Sequence, residues 1–424
     1  MFQRGYRFLL SLGRLFTGAA SNPEALRRRI DAQVSQAVTH VGSGDLARAR
    51  LELSKVLEEA PGHPGALKVQ TCVLLEQGAL EEAAQAVARL QSLTPGQPEI
   101  AVLAALVEQR SQTPAPGWRE ALLQAWNRVG RPDLTEAEPF PAPLPGTTAF
   151  VEQVWERTQS PEVRFTAMLA DGASDARQQW LAAHVAELED PELLLTAYEY
   201  FLPRSGEDAL ADVRRQARET LRRKLEPLTS RMSESEGPLL LLLGESAKEA
   251  PLTQEDIPAL ERIAALPRFR RTSLAQAYAD AKQRLELAAV TAPPLRLLQA
   301  AVASMVTDAA LILWRRVEAT KDRLSAEDRV RLGQTVFTLG ARIAEGSTLL
   351  ERMVGLRQME QGAEWMGDVE KLAEVKRELE HGRAVAHASS ALQVDSWPLP
   401  SLHRAWLQAS LDDEWKSLSA LVTP

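Results

Sequence analysis

Six histidines and one cysteine are the residues in this chain best suited to metal or nucleophilic chemistry, and their spacing supports neither. His381 and His387 are six apart, which turns them onto different faces of a helix. Cys72 is the lone thiol, so no intrachain disulfide and no cysteine-based metal site can form. The patterns GxGxxG, GxxxxGK[ST], GxSxG and HExxH are absent. Acid pairs such as Asp412-Asp413 read as solvated helix ends. The clusters Arg27-Arg28-Arg29 and Arg268-Phe269-Arg270-Arg271 read as solvated basic faces. No catalytic group, metal or cofactor is expected, which leaves recognition as the work of the chain.

Composition narrows what is recognised. The chain has 424 residues, 45% hydrophobic and 25% charged, so a large core can form and global disorder is excluded. That length holds two or three globular units or one long solenoid. The net charge of −8 argues against nucleic acid as a ligand. A single cysteine suits a reducing compartment, so a cytoplasmic protein is expected. Excess Arg over Lys and abundant Ala and Leu give a bacterial look.

The elements that must position a recognition surface show themselves by repetition. Gly44 matches Gly78, Leu46 matches Leu80, Ala49 matches Ala83, Pro61 matches Pro95, Gly62 matches Gly96 and Pro64 matches Pro98. The period is 34 residues, the length of a helix–turn–helix unit that buries its apolar face by stacking on neighbours. Ala37 and Thr71 supply a small residue in each first helix, and the prolines end each second helix. Helix pairs are predicted at about 30–61 and 64–95, with a third unit from Pro98 to about Asp133.

Residues 30–133 resemble the tetratricopeptide repeat family. The resemblance implies that the first helix of each unit lines a protein-binding groove. Carried over position by position, the lining is Val34, Val38 and Val41, then Lys68, Cys72, Leu75 and Glu76, then Val102, Leu106, Gln109 and Arg110. Most of these are aliphatic, unlike the Lys/Asn/Arg clamp of family members that bind acidic C-termini. An open apolar groove suits an amphipathic helix or peptide of a partner protein. The alternative is that these side chains only pack against neighbouring helices.

Residues 1–17 form a second candidate surface. On a helical wheel Gln3, Arg4, Arg7, Ser11 and Arg14 share a polar wedge. Phe2, Tyr6, Phe8, Leu9, Leu10, Leu12, Leu15 and Phe16 fill the remaining arc, and no acid precedes Glu24. This is the pattern of an interfacial helix on the inner face of a membrane. The competing readings are a cap on the first repeat or a partner protein, and a cleaved signal whose apolar run Arg14 breaks.

The expected fold is all-α, a tetratricopeptide-like solenoid followed by an α-helical repeat or bundle domain. The expected divisions are an amphipathic helix at 1–20, repeats at 23–135, a Pro-rich linker at 136–148, a helical region at 149–290 and a C-terminal helical region at 291–424. Within the middle region, Val163-Arg164, Val213-Arg214 and Phe269-Arg270 share an apolar–Arg–x–x–small pattern, and the contexts SPEVRFTAML and ADVRRQARETL of the first two resemble HEAT-type second helices, whose Arg bonds an adjacent turn. A non-enzymatic adaptor or scaffold is the leading function. A structural subunit of a larger assembly is the alternative, and an enzyme with an active site of scattered helical residues is a third class.

The N-terminal reading can be checked with liposomes. The full-length protein should float with anionic vesicles, weaken as salt shortens electrostatic reach to about 8 Å, and lose binding on Leu9→Glu plus Phe16→Glu. Protein that stays soluble with anionic vesicles at low salt rules lipid out.

Overall fold

The computed structural model describes residues 23–143, 149–172, 174–202, 209–244, 250–290, 292–305 and 308–422. The described residues contain no strand, only an isolated β-bridge between Glu234 and Arg268. The chain divides into two compact units: unit 1 takes residues 1–146 and 388–407, and unit 2 takes residues 147–387 and 408–424.

Unit 1 opens with α1 (Pro23–Gly42), α2 (Leu46–Glu59), α3 (Pro64–Glu76), α4 (Leu80–Leu93), α5 (Pro98–Arg110) and α6 (Trp118–Arg128). Each helix packs on the next, and α3 also packs on α1 and α5. The 34-residue period reappears as repeated backbone chemistry. Gly44 and Gly78 sit at φ +82° and +73°, a left-handed conformation that favours glycine. Each closes its turn with the same bonds: Gly44 N to Val41 O and Asp45 N to His40 O, then Gly78 N to Leu75 O and Ala79 N to Leu74 O. Ala37, Ala49, Thr71 and Ala83 are fully buried where paired helices meet.

The C-terminal part differs from the sequence expectation. Residues 388–407, expected in one region with 291–424, belong to unit 1. They include the end of α19 (Val369–Leu392) and the start of α20 (Pro400–Ser419). Residues 136–143, expected as a linker, are non-helical but packed. Phe140 is buried, and Pro141 touches the space beside Gly65 on α3. Proline prevents a helix here, yet the apolar side chains still gain by leaving water.

Unit 2 holds α7 (Ala149–Arg157), α8 (Pro161–Asp171), α9 (Asp175–His184), α10 (Pro191–Tyr200), α11 (Ala211–Thr229), α12 (Glu236–Leu243), α13 (Asp256–Ala264), α14 (Leu274–Glu286), α15 (Pro294–Met305), α16 (Asp308–Thr320), α17 (Ala326–Ala344) and α18 (Leu349–Met366). Its main core gathers Phe165, Tyr198, Phe201, Leu240, Leu313 and Leu339. Arg164 donates to the carbonyls of Thr158 and Trp155, and Arg214 to that of Tyr200, so both bond a preceding helix end. Arg270 departs from this pattern. It lies in the loop before α14 and pairs with acids instead.

The closest packing in unit 2 is backbone against backbone. A Cβ added at Gly340 would meet Gly355 O at 2.7 Å, and one at Gly362 would meet Gly333 O at 2.6 Å. The pairs 340–355 and 333–362 place α17 and α18 antiparallel with almost nothing between them.

This contact sets two effects in opposition. Alanine favours a helix over glycine by about 1 kcal/mol, while overpacking costs roughly 1–3 kcal/mol. Gly355→Ala should therefore lower the urea midpoint. Gly42→Ala, with open space around it, should hold or raise it. A Gly355→Ala protein as stable as the parent refutes the close approach.

Candidate protein-binding groove

Helices α1, α3 and α5 carry the expected lining, but their side chains do not line an open channel. Val34, Val38 and Val41 are buried in a core with Leu53, Val56 and Val73. Lys68, Cys72, Leu75, Val102, Leu106 and Gln109 are buried, and Glu76 and Arg110 are half-buried. Most of the expected lining positions are therefore buried, and other parts of the chain meet two of them, Lys68 and Glu76.

On α3 these contacts begin with Lys68, whose side chain is 1% exposed. A buried ammonium needs a countercharge and acceptors. Glu99, in the first turn of α5, supplies a carboxylate oxygen at 2.8 Å. The carbonyl of Glu138 accepts at 3.0 Å, and its carboxylate lies at 3.5 Å. The Lys68 ammonium also sits 5.9 Å from the Phe140 ring centroid. These contacts fix residues 138–141 across α3.

Residues 391–406 also meet this unit at several points. Leu134 N donates to Ala391 O at 2.8 Å. Trp397 is buried with its ring centroid 4.8 Å from that of Phe140, and its indole N–H donates to Leu392 O. Leu399 and Leu402 are fully buried. Glu76, in the last turn of α3, accepts from Ser401 N at 2.8 Å and from Ser401 Oγ at 2.7 Å. Ser401 lies in the first turn of α20, where the helix dipole and unpaired N–H groups favour a carboxylate. Trp406, farther along α20, stacks under Arg119 of α6 at 5.5 Å.

The α5 end is closed by its own connection. The Arg110 guanidinium lies 4.3 Å from the Trp118 ring centroid and donates to Pro116 O. Gln109 accepts from the Gln112 amide. Cys72 is enclosed, and burial followed by the Glu76 charge pushes its thiol far above the usual range, so it carries no thiolate reactivity.

Sequence reasoning found Lys68 and Glu76 as lining positions and missed what they hold. Glu99 was visible: it opens the next first helix, three places earlier in register than Lys68, within reach of a neighbour in the stack. Ser401 left no signal, being 325 residues from Glu76.

The family comparison bears on this segment. Residues 40–107 match the tetratricopeptide repeat model. Over this stretch the chain is similar to tetratricopeptide repeats. No curated protein and no solved structure matches the chain. Tetratricopeptide repeats generally mediate protein–protein interaction. The proposed lipid-facing residues 2–16 lie outside the described residues. By length and composition only, residues 294–320 are apolar enough to cross a membrane, and half of that apolar window is buried.

Unit 2 has the densest buried charge. Arg270 donates to both carboxylate oxygens of Glu236, at 2.5 and 2.9 Å, and to Glu351 at 3.2 Å. Glu199 lies near this group and accepts from Asp308 N. Burial first, then the Glu236 and Asp308 charges, raise its carboxyl to about 8, although the Asp308 N–H and Arg270 pull it down. Glu192 is raised too, by burial and the Glu236 charge. No group of three or more His, Cys, Asp or Glu among the described residues could hold a metal ion.

Glu199 makes stability depend on pH. Its folded-state value lies above the ordinary 4.5, so between about 4.5 and 8 the folded state holds a proton that the unfolded chain releases. The stability it contributes is full below that window and lost as pH rises through about 8. Glu199→Gln should gain stability relative to the parent between about pH 5 and about pH 9. Urea melts showing one constant difference at both pH values refute this.

Proposed function

We propose that this protein is a non-enzymatic scaffold whose tetratricopeptide segment binds polypeptide. One observation carries the reading: the first-helix face of the repeats already holds two stretches of polypeptide, 138–141 through Lys68 and 397–401 through Glu76. The lone buried cysteine supports work in a reducing cytoplasm. Residues 2–16 would add a peripheral hold on the inner face of the membrane. A structural-subunit reading draws on apolar side chains left exposed in unit 2, among them Leu295 at 58% and Leu311 and Trp314 at 42%.

Affinity purification of the full chain from its native cells, with and without residues 1–20, tests the reading. Defined partner proteins should be recovered in fixed proportion, and loss of residues 1–20 should change membrane association without removing them. A chain recovered alone in both forms defeats the scaffold. Recovery only as a homo-oligomer moves the function to the structural subunit.

A further inference from the structure

Residues 394–401 meet the first-helix face of the repeats through Ser401 and Glu76, and their chemistry describes what that contact accepts. Three features stand out. Trp397 is an aromatic anchor, enclosed against Phe140. Pro398-Leu399-Pro400 follow, with Leu399 fully buried and Pro400 starting a helix without an N–H of its own to satisfy. Ser401 then presents two donors to Glu76, whose carboxylate remains half-buried and within reach of solvent.

The segment is also set off from the helix before it. Gln393 ends α19 at φ +51°, a left-handed conformation that a non-glycine residue adopts under strain. The repeat helices hold their own caps and turns independently of this segment. The pair Lys68–Glu99 persists without it, since both partners belong to repeat helices.

We infer that the groove recognises an aromatic–Pro–x–Pro–Ser helix start, and that the chain's own Trp397–Ser401 is an exchangeable occupant which a partner protein carrying the same chemistry displaces. This deepens the scaffold reading and rests on it. The selectivity has a physical basis. Glu76 rewards donors at a helix N-terminus and repels an acid there, and the Phe140 side rewards a flat aromatic. A tethered occupant acts at an effective concentration of the order of millimolar. A free partner therefore enters only when it binds more tightly or when the tethered copy is weakened.

The test uses the full chain and a fluorescein-labelled peptide of residues 391–407 read by anisotropy. The parent should bind it weakly, because its own copy competes. Ser401→Pro removes both donors to Glu76, and Trp397→Ala plus Leu399→Ala loosens the anchor. Either variant should bind the labelled peptide at least tenfold more tightly than the parent. Adding Glu76→Gln to the opened chain, or Trp397→Ala to the peptide, should remove most of that gain. The inference is overturned if opened, folded chains bind no better than the parent, or if Glu76→Gln and the altered peptide make no difference. It is equally overturned if both opened chains lose the helical melt of unit 1, because the segment is then fixed core. Partner recovery by the parent chain is a separate readout, so the scaffold reading stands or falls independently.

Discussion

A lysine ammonium with almost no access to water organises unit 1. Lys68 sits on α3, a helix otherwise composed of apolar and small residues over most of its length. Left alone there it would lose its charge or unfold the site; removing one partner of such a pair typically costs about 3–5 kcal/mol. Glu99 answers it from the next repeat and so ties α3 to α5. Glu138 answers it from outside the repeats and so draws residues 138–141 onto the groove. Phe140 then offers a ring to Trp397, which brings residues 391–401 into the same unit. One buried charge thereby links neighbouring repeats to a piece of chain from the far end of the sequence.

The buried lining changes how the repeats work. An open apolar channel would take any amphipathic helix and would expose a patch prone to aggregation. A groove face met by the chain's own Ser401 at Glu76 sets a threshold that a competitor there has to exceed. The polar contacts, Lys68 to Glu138 and Glu76 to Ser401, are directional, so they specify register where burial alone would allow sliding.

Unit 2 solves a different problem. Helices α17 and α18 meet through Gly333, Gly340, Gly355 and Gly362, so backbone atoms pack where side chains usually do. Close approach gains dispersion contacts but tolerates no added carbon. Nearby, Arg270 is buried among Glu236 and Glu351, and its charge is held strongly by them. The excess acid falls on Glu199, whose raised proton affinity follows from burial.

Local chemistry was legible in the sequence. The 34-residue spacing of Gly, Ala and Pro fixed the helix pairs of unit 1, because turns need left-handed glycine, crossings need small residues and helices end at proline, all within a few residues. What faced the first helices was decided by tertiary structure alone. Val34 and Leu106 look the same in sequence whether they line a channel or lie beneath a covering segment, because a helical pattern reports that a face is apolar and not what buries it. Ser401 meets Glu76 across 325 residues, and nothing local to either residue encodes that distance. The repeat gives the surface; the long-range fold decides that the chain itself occupies it.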